Sequence, residues 1–229
     1  MSRTILRGMG GSLRARVFHG ANLLAAGCLA VLGVVLVLPG LSAARSSRIE
    51  HRGTILAECL LEAASAMQPV DLADPWTCEV VLARARALAR SRGVPTNDLE
   101  GASPASSAAS TAWFANKHYW FRIDPSPLDS RQPRPAPGHL PALELHAWPR
   151  DLTSAAHATC YVSEAAEPAF TRNLQAGYLD TDRAPPPGAG MRRNDNNNQR
   201  ADAYRGTDDE RWLTRRPRSE ETAAQARAD

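Results

Sequence analysis

Hydrophobic and polar positions follow three successive patterns along the chain. Residues 17–44 form an uncharged and mainly apolar run. Residues 45–92 place apolar side chains at helical spacing, with an interruption at Pro69 and a new start at Asp74-Pro75. From residue 117 to residue 174 the period changes to two, which is typical of β-strands. The patterns predict an α+β fold with an N-terminal transmembrane helix, one or two amphipathic helices and a small antiparallel meander of three to four strands.

The alternation is clearest in KHYWFRI, residues 117–123, and it recurs in PALELHAW, residues 141–148. Residues 158–164 and 169–174 give two further strands. Tyr119, Phe121 and Ile123 share one face of the first strand, and we expect the amphipathic helices to cover that face. The outer face carries three residues that we predict to form an exposed patch for a binding partner: His118, Trp120 and Trp148.

Residues 17–44 predict attachment to a membrane. As a helix this run would be about 40 Å long, which exceeds the roughly 30 Å hydrocarbon core of a bilayer. Four arginines precede the run. The positive-inside rule therefore predicts a cytoplasmic segment at 1–16, a single-pass anchor at 17–44 in the cell inner membrane, and an extracytoplasmic remainder. The alternative is a long signal peptide that is cleaved after the small residues Ser42-Ala43-Ala44.

Composition divides the extracytoplasmic part further. Residues 94–110 are rich in Ser, Ala, Pro and Gly and predict a flexible loop. Residues 183–229 combine a run of Asn with alternating Arg and acidic residues. We expect a disordered tail there, because too little apolar surface can be buried to offset the entropy of the chain. The predicted folded domain is therefore residues 45–182.

Charge argues against nucleic acid as a partner. The formal net charge is +3 and acidic residues are interspersed with the arginines, so no sustained basic face is predicted. Three cysteines lie beyond the apolar run: Cys59, Cys78 and Cys160. An oxidising compartment would allow one disulfide, and the sequence does not select the pair.

Candidate chemistry is sparse in this sequence. His157 and Cys160 have the spacing of a metal-ligand pair, and a site could draw further ligands from His139 and His146. Ordinary solvated histidines, in a loop and on an outer strand face, are the alternative for His139 and His146. The sequence contains no GxSxG motif and no glycine-rich phosphate loop. We therefore predict no catalytic residue, no cofactor and no identifiable small-molecule substrate.

The order of these elements resembles that of a known family. The segments YWFRI, LELHAWPRD, ATCYVSE and NLQAGYLDTDRAPPPG follow an apolar segment and an amphipathic helix. In this order they resemble membrane-anchored type IV pilin-like and pseudopilin-like bacterial envelope proteins of uncharacterised function. The resemblance implies an architecture and no catalytic residue. Gly20 is not followed by the Phe-Thr-Leu-Ile-Glu of true prepilins, so processing by a prepilin peptidase is not implied.

Two functions of different class follow from the sequence. The favoured one is a membrane-anchored extracytoplasmic structural or interaction protein of the bacterial envelope, which meets another envelope protein. The alternative is an envelope metal-binding protein or enzyme that uses His157 and Cys160. The first function is favoured because the ionisable residues of the sequence do not converge on one predicted site.

Overall fold

The computed structural model describes residues 32, 40–67, 72–97, 99–101, 111–126, 142–151, 157–164, 166–192 and 203–214. The chain divides into two units, Met1–Arg45 and Ser46–Asp229. Of the first unit, residue 32 and residues 40–45 are described, and they are helical and exposed. The predicted anchor at 17–44 otherwise lies outside the described residues. No helix within the described ranges has the length and apolar character that crossing a membrane requires.

In the described ranges from residue 40 onward, two helices precede the sheet. The first, α1, covers residues 40–65, and the second, α2, covers Pro75–Ser91. Asp74 is the N-cap of α2, and its carboxylate accepts hydrogen bonds from the backbone N–H groups of Trp76 and Thr77. After α2 the chain turns at Gly93, whose φ of 73° lies in the left-handed region that favours glycine. Both ends of α2 therefore agree with the start and stop signals in the sequence.

The eight strands of the described residues form one antiparallel sheet. Its spatial order is β1-β2-β3-β4-β5-β6-β8-β7, so the first six strands form a meander. The hairpin of β7 and β8 follows, with β8 paired to β6 and β7 at the edge of the sheet. The strands are β1 Glu100–Gly101, β2 Ala112–Ala115, β3 Tyr119–Pro125, β4 Leu143–Pro149, β5 Thr159–Ser163, β6 Ala166–Thr171, β7 Ala203–Arg205 and β8 Arg211–Thr214.

The predicted meander of three to four strands is therefore wrong. The four strands found by alternation correspond to β3, β4, β5 and β6. The sheet is extended by β1, which lies in the predicted flexible loop, by β2, and by β7 and β8, which lie in the predicted disordered tail. The prediction of a disordered tail relied on its low apolar content. Trp212 of β8 is nevertheless fully buried, and burial of this large side chain stabilises β8 in the sheet.

One face of the sheet packs against the two helices. Tyr119, Phe121 and Ile123 lie on this face, as the alternation predicts, together with Leu60 of α1 and Leu82 of α2. All five side chains are buried. This helix-side core therefore contains the apolar stripe of each amphipathic segment.

The opposite face of the sheet is buried as well. A second cluster on this face contains Trp148, Tyr161, Ala169, Tyr178, Ala189 and Trp212. Part of it comes from residues 178–192. We call them the cover segment, because Pro185, Gly188 and Gly190 contact Arg122 of β3, Glu144 of β4 and Tyr161 of β5. The expected solvent-exposed outer face of the central strands is therefore wrong. Its polar residues are enclosed between the sheet and the cover segment.

Candidate functional site

Five polar side chains meet beneath the cover segment. They come from three neighbouring strands and are all buried: Arg122 and Asp124 of β3, Glu144 and His146 of β4, and Tyr161 of β5. Strand register brings them together, because Asp124 lies opposite Glu144, Arg122 opposite His146, and His146 opposite Tyr161. Directly opposed residues point to the same face of an antiparallel sheet. We call these five residues the polar cluster.

The charge of Arg122 is balanced within the cluster. Its Nε atom donates to Asp124 Oδ2 over 2.6 Å, and its Nη2 atom donates to the carbonyl of Pro185 in the cover segment. The guanidinium carbon lies 5.5 Å from the ring centroid of Trp113 and 5.9 Å from that of Trp148. Ion pairing and contact with aromatic faces together compensate for the loss of water around the cation.

Glu144 joins the sheet to the cover segment. Its Oε1 atom accepts a hydrogen bond from the backbone N–H of Gly188. Its Oε2 atom lies 3.3 Å from both Tyr161 Oη and Ser126 Oγ, and each of these hydroxyls donates to it. Burial, with a smaller contribution from the nearby charge of Asp124, raises the pKa of Glu144 to about 7 against the opposing effect of these three donors. Near neutral pH the side chain is therefore divided between its acid and carboxylate forms.

His146 is fully buried beside these charges. Its Nδ1 atom lies 4.0 Å from Asp124 Oδ2, and its ring centroid is 5.1 Å from that of Tyr161. Among the residues that the structure describes, neither ring nitrogen has a hydrogen-bond partner, and the same holds for Asp124 Oδ1. Burial lowers the pKa of His146 to about 3, with a smaller contribution from Arg122, so the imidazole is neutral. Burial also raises the pKa of Asp124, against the opposing effect of Arg122.

The cover segment approaches the cluster closely at Gly190. A Cβ atom at this position would lie 2.2 Å from Cγ of Tyr161, so the packing leaves room for glycine only. The segment is also held by the chain that follows it. Tyr204 Oη donates to the carbonyl of Gly190 over 2.7 Å, and Thr207 Oγ1 donates to the carbonyl of Gly188 over 2.7 Å.

We predict that Gly190→Ala lowers the free energy of unfolding by about 1–3 kcal/mol, because the added methyl group overpacks against the Tyr161 ring. Urea denaturation of wild type and variant measures the difference. Gly101→Ala is the matched control, since its Cβ would meet neighbouring atoms only at 3.6 Å and beyond. That control should stay within about 0.5 kcal/mol of wild type. Equal stability of the Gly190 variant and the control would contradict the close packing of the cover segment.

The structure does not gather the four metal-ligand candidates of the sequence into one site. His146 belongs to the polar cluster, whereas Cys160 lies in the core on the helix side of the sheet. His157 precedes β5 and is exposed, and His139 lies outside the described residues. The prediction of a solvated His146 is wrong. Burial raises the pKa of another thiol, Cys59, to about 11, so that group is a protonated core residue.

The three partner candidates also differ in exposure. Trp148 is fully buried, and its Nε1 atom donates to the carbonyl of Asp180 over 2.7 Å. Trp120 is half-buried, and its Nε1 atom donates to Asp180 Oδ1 over 3.1 Å. The guanidinium carbon of Arg150 lies 5.2 Å from the centroid of the Trp120 ring. His118 is also half-buried. Two of the three candidates therefore reach the surface.

Sequence reasoning missed most of the polar cluster. Period-two alternation places Arg122 and Asp124 on one face of the first strand and Glu144 and His146 on one face of the second, and the observed register agrees with both placements. Sequence reasoning assigned that face to solvent, because alternating polar residues normally mark an exposed surface. Five polar side chains on facing positions of adjacent strands were the available signal. Their burial depends on the cover segment, which carries no strand or helix pattern.

Comparisons with known proteins identify no relative. The chain matches no protein-family model. Comparison with curated proteins found no match, and comparison with solved structures found none either. The polar cluster and the surface of the domain must therefore be interpreted from their own geometry.

Proposed function

We propose that the protein is an extracytoplasmic structural or interaction protein of the bacterial envelope, pilin-like in its order of elements. It is attached to the membrane through residues 17–44. The apolar run and the four arginines before it support this location. A long helix followed by an antiparallel sheet supports the architecture.

The observation that carries the proposal is the closure of both faces of the central strands. Glu144 and His146 are 0% exposed, so a substrate molecule has no direct route to them in this conformation. Enzymes place their reactive groups in clefts that substrates can enter. A domain whose ionisable cluster is enclosed acts on other molecules through its outer surface.

The surface around Trp120 is the proposed contact region for an envelope protein. We define this Trp120 surface by His118, Trp120 and Arg150. It combines a half-buried indole ring, a cation above that ring and a half-buried histidine two residues earlier in the chain. Tryptophan and arginine are the residue types that most often dominate the energy of protein–protein contacts.

Site-specific photocrosslinking in intact cells tests this function. A photoreactive amino acid at position 118 should give one discrete adduct that sediments with membranes, because the side chain borders the contact region. The same amino acid at position 76 is the control, since Trp76 of α2 is 72% exposed and lies outside the Trp120 surface. The control should not give that adduct. Absence of any adduct at 118, identical adducts at both positions, or recovery of the chain outside the membrane fraction would contradict the proposal.

A further inference from the structure

Three ligand-type side chains in the polar cluster converge on one point. Asp124, Glu144 and His146 each offer one ligand atom, and these atoms all lie within 4.8 Å of one another. A tetrahedral ion bound at about 2.1 Å would hold its ligand atoms about 3.4 Å apart. Rotation of the two carboxylate side chains would reduce the distances between ligand atoms from at most 4.8 Å to about 3.4 Å. The sheet fixes the backbone of all three residues, because β3 and β4 pair in continuous register from Tyr119 to Pro125.

The unpartnered atoms in the cluster belong to these same residues. Both ring nitrogens of His146 and Asp124 Oδ1 are buried without a hydrogen-bond partner in the described part of the chain. An unpaired buried polar atom costs free energy, so native proteins nearly always satisfy such atoms. Glu144 accepts one hydrogen bond at Oε1 and two at Oε2, so one of its roughly four lone-pair sites is left, at Oε1. Donor capacity is therefore unused where the three side chains meet.

We propose that Asp124, Glu144 and His146 bind one divalent transition-metal ion, for which Zn²⁺ fits the donor set best. One imidazole nitrogen and two carboxylate oxygens suit zinc and its neighbours in the first transition series. Ca²⁺ and Mg²⁺ take sets made of oxygen alone and require more ligands. This site goes beyond the proposed function and does not depend on it.

Arg122 restricts how the ion is held without blocking the site. Arg122 donates to Asp124 Oδ2, whereas Asp124 Oδ1 has no hydrogen-bond partner among the described residues. With both carboxylates ionised, the local formal charge is −1, and a divalent ion changes it to +1. The ion is therefore bound next to a fixed cation, and the loss of either carboxylate charge should weaken binding strongly.

A metal at this position would have a structural role and not a catalytic one. Glu144 accepts a hydrogen bond from the backbone N–H of Gly188, so an ion coordinated by Asp124, Glu144 and His146 would link β3, β4 and the cover segment. The site is enclosed, and the ion would enter during folding or through displacement of the cover segment. Folding and metal binding are coupled in sites of this kind.

The test uses the purified full chain and Zn²⁺ alone. The chain is unfolded in denaturant with a chelator, desalted, and refolded with or without zinc chloride before unbound metal is removed. We expect one zinc per chain by elemental analysis and a higher Tm in the zinc-refolded sample. Glu144→Gln should retain the fold, because Gln is isosteric with the protonated acid and can still accept from Gly188. It should bind zinc at least tenfold more weakly. His157→Ala is the matched control and should bind zinc as wild type does.

Three outcomes would overturn the site. The first is a wild-type chain that refolds without stoichiometric zinc. The second is zinc binding that is unchanged in both Glu144→Gln and Asp124→Asn. The third is zinc that is lost from the double variant His157→Ala with Cys160→Ser and retained in Glu144→Gln, which would assign the metal to the other predicted ligands. The crosslinking result at position 118 does not enter this test, so the two proposals fail separately.

Discussion

Arg122→Met should lower the free energy of unfolding by about 3–5 kcal/mol, which is the usual cost of removing one partner from a buried ion pair. The variant leaves Asp124 with a carboxylate that is 2% exposed and has lost its 2.6 Å partner. It also removes the donor to the Pro185 carbonyl. Methionine keeps much of the packing volume against Trp113 and Trp148. Urea denaturation at neutral pH measures the loss.

Two further variants distinguish the cost of leaving Asp124 unpaired from the general effect of an Arg→Met substitution on stability. Arg150→Met removes an exposed cation above Trp120 together with its hydrogen bond to the Asn116 carbonyl, and should cost no more than about 1 kcal/mol. The double variant Arg122→Met with Asp124→Asn should recover part of the loss, because the uncompensated carboxylate is gone. A loss below about 1 kcal/mol in the single variant, or a double variant less stable than the single one, would contradict the ion-pair interpretation.

In the metal-free protein, Glu144 and His146 of β4 should change the free energy of unfolding with pH in opposite directions. Glu144 has an ordinary pKa of 4.5 and a folded-state pKa of about 7. The folded state therefore holds the additional proton between these values, and stability falls by about 1.4 kcal/mol per pH unit as pH rises through that window. His146 has an ordinary pKa of 6.5 and a folded-state pKa of about 3. Here the unfolded state holds the additional proton, so stability increases at the same rate as pH rises from 3 to 6.5.

The two slopes cancel between pH 4.5 and pH 6.5, and single variants should reveal each of them. Relative to wild type, Glu144→Gln should become more stable with rising pH, by about 3 kcal/mol over the window from 4.5 to 7. His146→Phe should show the opposite relative slope between pH 3 and pH 6.5. Urea denaturation at half-unit pH intervals in the presence of a chelator gives all three profiles. Parallel profiles for wild type and both variants would contradict the protonation states assigned to Glu144 and His146.

The helix-side half of the fold could be predicted from local patterns. Period-two alternation placed Tyr119, Phe121 and Ile123 on the face that the helices cover, and Asp74-Pro75 marked the start of α2. These features depend on the sterics of neighbouring residues, so a short stretch of sequence contains the information. The same reasoning failed for β7 and β8. The place of β8 depends on pairing with β6, more than 30 residues earlier in the chain, and β7 joins the sheet only through β8.

The polar cluster lay beyond sequence reasoning for a different reason. His146 was recognised as a potential ligand, but its neighbours were sought along the chain, at His157 and Cys160. The neighbours in the structure are Asp124 and Glu144, and the register between β3 and β4 determines their distance. The intervening chain gives no signal of that register. Register follows from packing of both faces of the sheet, and one of those faces was assigned to solvent.

The order of the last two strands has a consequence for how the chain is made. Because β8 lies between β6 and β7, β6 remains an open sheet edge until Thr214 has been synthesised. Until then Trp212 cannot complete the cluster over Tyr161. Between the synthesis of β6 and that of β8, a nascent chain therefore exposes unpaired backbone groups and aromatic surface, which is the condition under which partly made proteins associate with one another or with chaperones.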